Sequence, residues 1–225
     1  MRQVRVVVFP GIAGEDRLFM ETMAAAIPNR DFETIRYPGP LAASDLLMDL
    51  RTTAVGIASR MTVPSPTLSL VLIGYSYGGN LAYEVAQCLF AQGGDVVQLI
   101  LIDPALPNTS FRLLGNLPAH QVTHASAPTI IYALRPIRTF LIFLALLLPN
   151  KIRKKLTRRI LYDLRVYARR TWAPRTTGVK VLHIVSHQLA PVVSKGWADL
   201  CPRIRQVTIA GSHINIWSCP RRWCS

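Results

Sequence analysis

The chain has 225 residues, half of them hydrophobic and 17% charged. That length can bury roughly 70% of the unfolded surface in one domain, and the composition excludes a disordered tail, a coiled coil or a low-complexity chain. Lys and Arg number 26 against 12 Asp and Glu, a formal charge of +14, which raises nucleic acid, an anionic membrane or an acidic protein as partner.

Strand and helix signals alternate along the first half. Val4 to Phe9 is a β-branched run closed by Pro10-Gly11, and it follows Met1 with no signal-peptide pattern between. Arg17 to Ile27 has helical character, and Thr34 to Tyr37 reads as a short strand ended by Pro38-Gly39-Pro40. Ala43 to Met61 reads as a helix with Ser44 as N-cap, broken by Pro64-Ser65-Pro66. Leu68 to Ile73 is a second apolar strand, Gly78 to Gln92 a helix stopped by Gly93-Gly94, and Val96 to Ile102 a third apolar strand. Val179 to Val185 and Ile204 to Ala210 continue the series. Uninterrupted apolar strands between helices predict a mostly parallel sheet covered on both faces.

A different segment lies at about 104–178. It carries no strand signal and is apolar, then basic: Lys151, Arg153, Lys154, Lys155, Arg158, Arg159, Arg165, Arg169 and Arg170 face Asp163 alone. It reads as an insertion of two or three helices. The longest apolar run, Phe140 to Leu148, is far short of the about 20 residues that span a bilayer, and a cytoplasmic location is expected. The four cysteines, Cys88, Cys201, Cys219 and Cys224, lack metal-ligand spacing and are expected as free thiols. No metal site and no resident cofactor are expected.

The sharpest local signal is Gly74-Tyr75-Ser76-Tyr77-Gly78-Gly79 between an apolar strand and a helix. In that setting Gly-x-Ser-x-Gly forms a sharp turn, strained at the serine, whose hydroxyl stands at a helix N-terminus where a developing anion is favoured. The competing reading is a Gly-rich turn with a capping serine. A nucleophile of this kind needs an acid and then a histidine further along the chain. Asp103 closes the strand Val96 to Ile102, and His213 follows the last strand in Gly211-Ser212-His213. Both would stand at carboxyl ends of strands, on the same rim as Ser76. Asp103 has an ordinary alternative as a turn residue before Pro104. His183 falls inside a strand, His187 in an earlier loop, and His120 and His124 in the insert. One oxyanion donor is then the backbone N–H of Tyr77. The other is sought in Phe9-Pro10-Gly11-Ile12-Ala13-Gly14, with Ile12 first and Ala13 close behind.

These pieces resemble the thioesterase domains that end non-ribosomal peptide and polyketide assembly lines, within the α/β-hydrolases. The resemblance runs from about Val4 to Ile216 and rests on residues 9–14, 74–79, 101–103 and 211–213, with Gly196-Trp197 adding to it. It implies an α/β-hydrolase fold with the insertion as a helical lid over an acyl channel. It also implies an acid placed before the lid, which suits Asp103, because Ser186-His187-Gln188-Leu189-Ala190-Pro191 holds no carboxylate. The implied substrate is an acyl or peptidyl thioester on the phosphopantetheine arm of a carrier protein. Ser76 would form an acyl-enzyme, released by hydrolysis or cyclisation. The family places a helix after the histidine, and Ser218 to Ser225 does not read as one, so a shortened C-terminal end of this single domain (1–225) is expected.

Carrier proteins of such assembly lines are typically acidic, so Lys151, Lys154, Lys155 and Arg158 become candidates for a docking face. A solvated lid helix is otherwise the expected role of this basic run, ahead of a nucleic-acid or membrane-surface site. A general carboxylesterase or lipase, and a catalytically silent binding module of the same fold, are the alternatives.

Overall fold

The computed structural model describes residues 3–14, 17–27, 32–37, 49–61, 68–93, 96–107, 143–144, 147–213 and 216. Ser44, Pro64 to Pro66, His120, His124, residues 108–142 and 145–146 of the predicted insertion, and Ser218 to Ser225 lie outside them. The described elements run β1 (Gln3–Phe9), α1 (Arg17–Ala26), β2 (Phe32–Thr34), α2 (Leu50–Ala58), β3 (Leu68–Tyr75), α3 (Tyr77–Ala91), β4 (Val96–Ile102), α4 (Asn150–Thr171), β5 (Val181–Ser186), α5 (Ala190–Leu200) and β6 (Ile204–Ile209).

Six strands form one sheet in the order β2-β1-β3-β4-β5-β6, and every neighbouring pair is parallel. Successive strand residues point to opposite faces, and both faces are covered along the carboxyl half of β1, where Val6 to Phe9 are buried and apolar without a break. Val7 and Phe9 join Leu72, Leu99, Leu101 and Val181 in the larger core, with α2, α3 and α5. Val6 and Val8 point the other way, into a second cluster with Phe19 and Met23 of α1 and with Ile73, Ile102 and Ile216. The architecture is the expected α/β-hydrolase fold. Its last strand is the least covered: Val207 of β6 remains 38% exposed.

Three local expectations need correction. The helix expected over 43–61 starts only at Leu50. Asp49 has extended backbone angles (φ −125°, ψ 118°) and caps α2, its carboxylate accepting from Arg51 N–H at 3.3 Å and Thr52 N–H at 3.0 Å. A capping carboxylate at that point is worth about 1 kcal/mol and competes with any helix running through it. The strand expected at Thr34 to Tyr37 is shifted to Phe32–Thr34, because Val6 to Val8 of β1 pair with those residues; Tyr37 instead turns its hydroxyl to the Pro10 carbonyl. Helix α5 was not anticipated. Pro191 sits in its first turn, where a missing N–H costs nothing, and Val193 and Trp197 bury its inner face.

His183 lies inside β5, opposite Leu101 of β4, fully buried and 5.9 Å from the Trp197 ring. Neither ring nitrogen has a hydrogen-bond partner among the described residues. Burial pushes its pKa down from 6.5 to about 4, against the opposing pull of the Asp103 charge. Between those values the unfolded chain binds a proton that the folded one refuses. Stability is therefore present above pH 6.5 and is lost as pH falls toward 4, by up to about 3 kcal/mol. In denaturant titrations across that window, His183→Leu should flatten the slope; a variant with the wild-type slope would show that another group carries it.

Candidate active site

The chain leaves β1 for β2 on one side and returns to β3 on the other. The carboxyl ends of β1 and β3 therefore flank a point where strand order reverses, the place where open parallel sheets bind ligands. Ser76 follows β3 and the turn at 11–14 follows β1, so both predicted halves of an oxyanion site open on this crevice.

Ser76 has φ 53° and ψ −122°, an unfavourable region for a residue with a side chain, costing about 1–3 kcal/mol. Its backbone N–H is tied to the Ile102 carbonyl at 2.8 Å. It makes no side-chain capping bond to α3, which argues against the capping reading. Its Oγ lies instead 3.0 Å from His213 Nε2, and His213 Nδ1 lies 3.0 Å from Asp103 Oδ2. The structure thus brings together the serine, acid and histidine expected from the sequence, contributed by the ends of β3, β4 and β6.

Asp103 is fully buried and also has a positive φ of 52°. Its second oxygen, Oδ1, accepts the Ser186 N–H at 2.7 Å. The end of β5, which offers no carboxylate of its own, thereby serves the acid from β4. With Nδ1–H directed at Asp103, Nε2 is left to accept from the Ser76 hydroxyl.

Two contacts hold the histidine that sequence reasoning missed. Tyr75 donates its hydroxyl to the His213 carbonyl at 2.8 Å, and its ring stacks on the imidazole at 5.3 Å between centroids. Phe19 of α1 stacks behind Tyr75 at 5.6 Å. The only signal in the chain was an aromatic residue before the serine. Asn80 Nδ2 and Trp197 Nε1 donate to the Ala105 and Pro104 carbonyls at 3.0 and 2.9 Å, fixing the segment after Asp103.

Ile12 lies in the turn after β1, partly buried against the core. Tyr77 opens α3, its side chain buried and in edge contact with Tyr37 at 5.8 Å. Burial raises the Tyr77 hydroxyl pKa to about 12, so the hydroxyl stays protonated. Cys201 is buried too, and burial pushes its thiol up to about 12; it stays protonated. Cys88 and Cys201 are both free. Among the described residues no group of three His, Cys, Asp or Glu side chains could hold a metal ion, and no helix is long and apolar enough to cross a membrane.

The basic run divides along α4. Lys151, Lys154, Lys155 and Arg158 are exposed. Arg165 and Arg169 are buried, 6% and 7% exposed, and Arg169 Nη1 donates to the Leu106 carbonyl at 3.2 Å. Burial begins only at Leu164, so seven of the nine basic groups are not buried, and six of those seven precede that point. Beyond α4 the chain is pinned to α3: Trp172 Nε1 donates to buried Glu84 at 2.8 Å and the Tyr83 hydroxyl to the Arg175 carbonyl.

Comparison with known proteins gives the family and the fold. Over 96 residues the chain is 33% identical to microperfuranone synthase of Emericella nidulans, covering 43% of this chain but only 10% of the synthase; the chain spans about a tenth of that curated relative's length. Among solved structures it resembles the NocB thioesterase domain from the nocardicin cluster, with TM-score 0.63, 18% identity, and 95% and 86% of the two chains covered. It also resembles RedJ, a thioesterase from the prodiginine pathway of Streptomyces coelicolor, with TM-score 0.60, 17% identity, and 98% and 87% covered. At such identities the likeness is one of fold. The family model described as a thioesterase domain matches residues 4–128, more than half of the chain and the part that carries Ile12, Ser76, Tyr77 and Asp103, and the chain belongs to that thioesterase family.

Proposed function

We propose that this protein is a serine thioesterase that releases an acyl or peptidyl chain from the phosphopantetheine arm of a carrier protein. The observation that carries the reading is the placement of His213 at 3.0 Å from both Ser76 Oγ and Asp103 Oδ2, with Ser76 strained at the head of α3. His213 Nε2 takes the hydroxyl proton as Ser76 Oγ attacks the thioester carbonyl. The carbonyl oxygen becomes an oxyanion, met by the backbone N–H of Tyr77 and by that of Ile12 or Ala13 in the turn after β1. Collapse expels the pantetheine thiol, which receives the proton from His213 and leaves an ester on Ser76. A thiol (pKa about 8.5) leaves far more readily than an alcohol, so a thioester suits this first step. Water, deprotonated by His213, then attacks the ester and frees an acid; an amine or hydroxyl of the chain itself would release a lactam or lactone. His213 returns the proton to Ser76 Oγ as the ester breaks, which restores the free enzyme.

Exposed Lys151, Lys154, Lys155 and Arg158 in the N-terminal turns of α4 supply the charge for docking an acidic carrier. The experiment compares an acyl thioester on a carrier protein with the same acyl group on a small thiol and as a simple oxygen ester. The carrier thioester should be preferred. Reversing Lys154, Lys155 and Arg158 to Glu should raise its KM about tenfold at low salt and leave the small thioester unaffected. An oxygen ester turned over faster than either thioester would replace the reading with a general esterase. Equal losses on carrier and small thioesters would remove the docking face and leave the thioesterase.

A further inference from the structure

Arg165 behaves unlike the other basic residues of α4. It is buried, and its Nη1 donates to the Ile12 carbonyl at 2.5 Å while the guanidinium lies 4.8 Å from the centre of the Tyr37 ring. Two further bonds reach the same turn. The Tyr37 hydroxyl donates to the Pro10 carbonyl, and Gly14 N–H donates to the Gly11 carbonyl at 3.0 Å. Three consecutive carbonyls, of Pro10, Gly11 and Ile12, thus each accept one bond. In a trans peptide the C=O and the N–H of one unit point in opposite directions. The bond to Pro10 therefore aims the Gly11 N–H, the bond to Gly11 aims the Ile12 N–H, and the bond to Ile12 aims the Ala13 N–H. Neither candidate oxyanion donor of this turn can swing without breaking a bond. The last bond comes from α4, more than 150 residues away in the chain.

We propose that Arg165 is a positioning residue that locks the oxyanion-hole turn from the lid helix, so that α4 is part of the catalytic framework as well as a cover. Taking a guanidinium out of water is costly, and Leu164 and Ala168 beside it on α4 already supply apolar packing. Arg169, one turn further along, holds the Leu106 carbonyl in the segment that follows Asp103. The buried face of α4 thereby touches both the oxyanion turn and the acid's turn.

The inference rests on the serine-thioesterase reading, and the test separates the two. Active sites are counted by fluorophosphonate labelling, and kcat and KM are measured per labelled site with an acyl-N-acetylcysteamine thioester. Arg165→Met should lower kcat on the order of 10- to 100-fold with KM within about twofold, and should weaken a trifluoromethyl ketone inhibitor by the same factor as kcat/KM. Arg165→Lys should recover part of the loss, and Tyr37→Phe should show a smaller loss of the same kind. A merely structural role would lower the unfolding temperature and leave kcat per site and inhibitor affinity unchanged, which would overturn the inference. If Arg165→Met does not fold, Arg165→Lys and Tyr37→Phe decide by the same criteria. Wild-type protein that labels at Ser76 beside variants with unchanged kcat defeats the inference alone; wild-type protein that does not label defeats the reading and the inference with it.

Discussion

Ser76→Ala is expected to abolish fluorophosphonate labelling and to lower the rate of thioester cleavage at least about 10³-fold, because it removes the hydroxyl oxygen that lies 3.0 Å from His213 Nε2 and would form the acyl-enzyme. His213→Ala should cost a similar factor. The two should not add in the double variant, since the serine is a weak nucleophile without its base and the base has no proton to take without the serine. Labelling followed by peptide mapping, beside steady-state rates, checks both. The geometry around Ser76 should survive the change. Its backbone is held by the Ile102 carbonyl, and its hydroxyl caps nothing, so the unfolding midpoint should move little. A Ser76→Ala protein that still labels or still turns over would place the nucleophile elsewhere.

Gly78→Ala should produce the largest loss of stability of any single methyl addition in the site. A Cβ on Gly78 would lie 2.2 Å from the Pro10 oxygen and 2.3 Å from the Phe9 oxygen. Those are backbone atoms at the end of β1, so no side chain can rotate away. Gly74 has the same problem from inside the elbow, where a Cβ would lie 2.4 Å from the Gly78 oxygen. Relief requires parting α3 from β1, which separates Ser76 from the oxyanion turn. A loss of about 4 kcal/mol or more is expected, together with loss of activity in whatever remains folded. Gly56 is the control: it sits in α2 with open space where a Cβ would go, and Gly56→Ala should stabilise by about 0.5–1 kcal/mol. Denaturant unfolding of the three proteins measures the contrast. If Gly78→Ala unfolded like the wild type, the close approach of α3 to β1 would be wrong.

The candidate triad was legible because each member has a local marker. Ser76 is flanked by the glycines that a strand-to-helix reversal needs, and Asp103 and His213 stand where apolar strands stop. β4 was anticipated at its observed ends, Val96 and Ile102, because an apolar run broken only by Gln98 sits between Asp95 and Asp103, with Gly94 and Pro104 just outside. The start of α2 was misjudged because Ser44 and Asp49 are both good caps, and only the extended backbone of Asp49 decides between them. Helix α5 was missed because Pro191 and Gly196 read as loop residues, while its helical state rests on burying Val193 and Trp197.

Sequence alone was enough for the alternation of strands and helices, and hence for a parallel sheet with three chemical groups along one rim. Those are short-range properties: periodicity, β-branching, glycine and proline at turns. Tertiary structure decided the rest. The reversal between β1 and β3 depends on pairing between residues more than 60 positions apart. The seating of Tyr75 on His213 joins residues 138 positions apart. The inward turn of Arg165 and Arg169 could not be seen along a helix rich in Lys and Arg, where every face carries charge. Which of those charges leaves water is settled by what lies beneath the helix. Here that is the Ile12 carbonyl in the turn after β1 and the Leu106 carbonyl in the segment after Asp103, and only the folded chain puts them there.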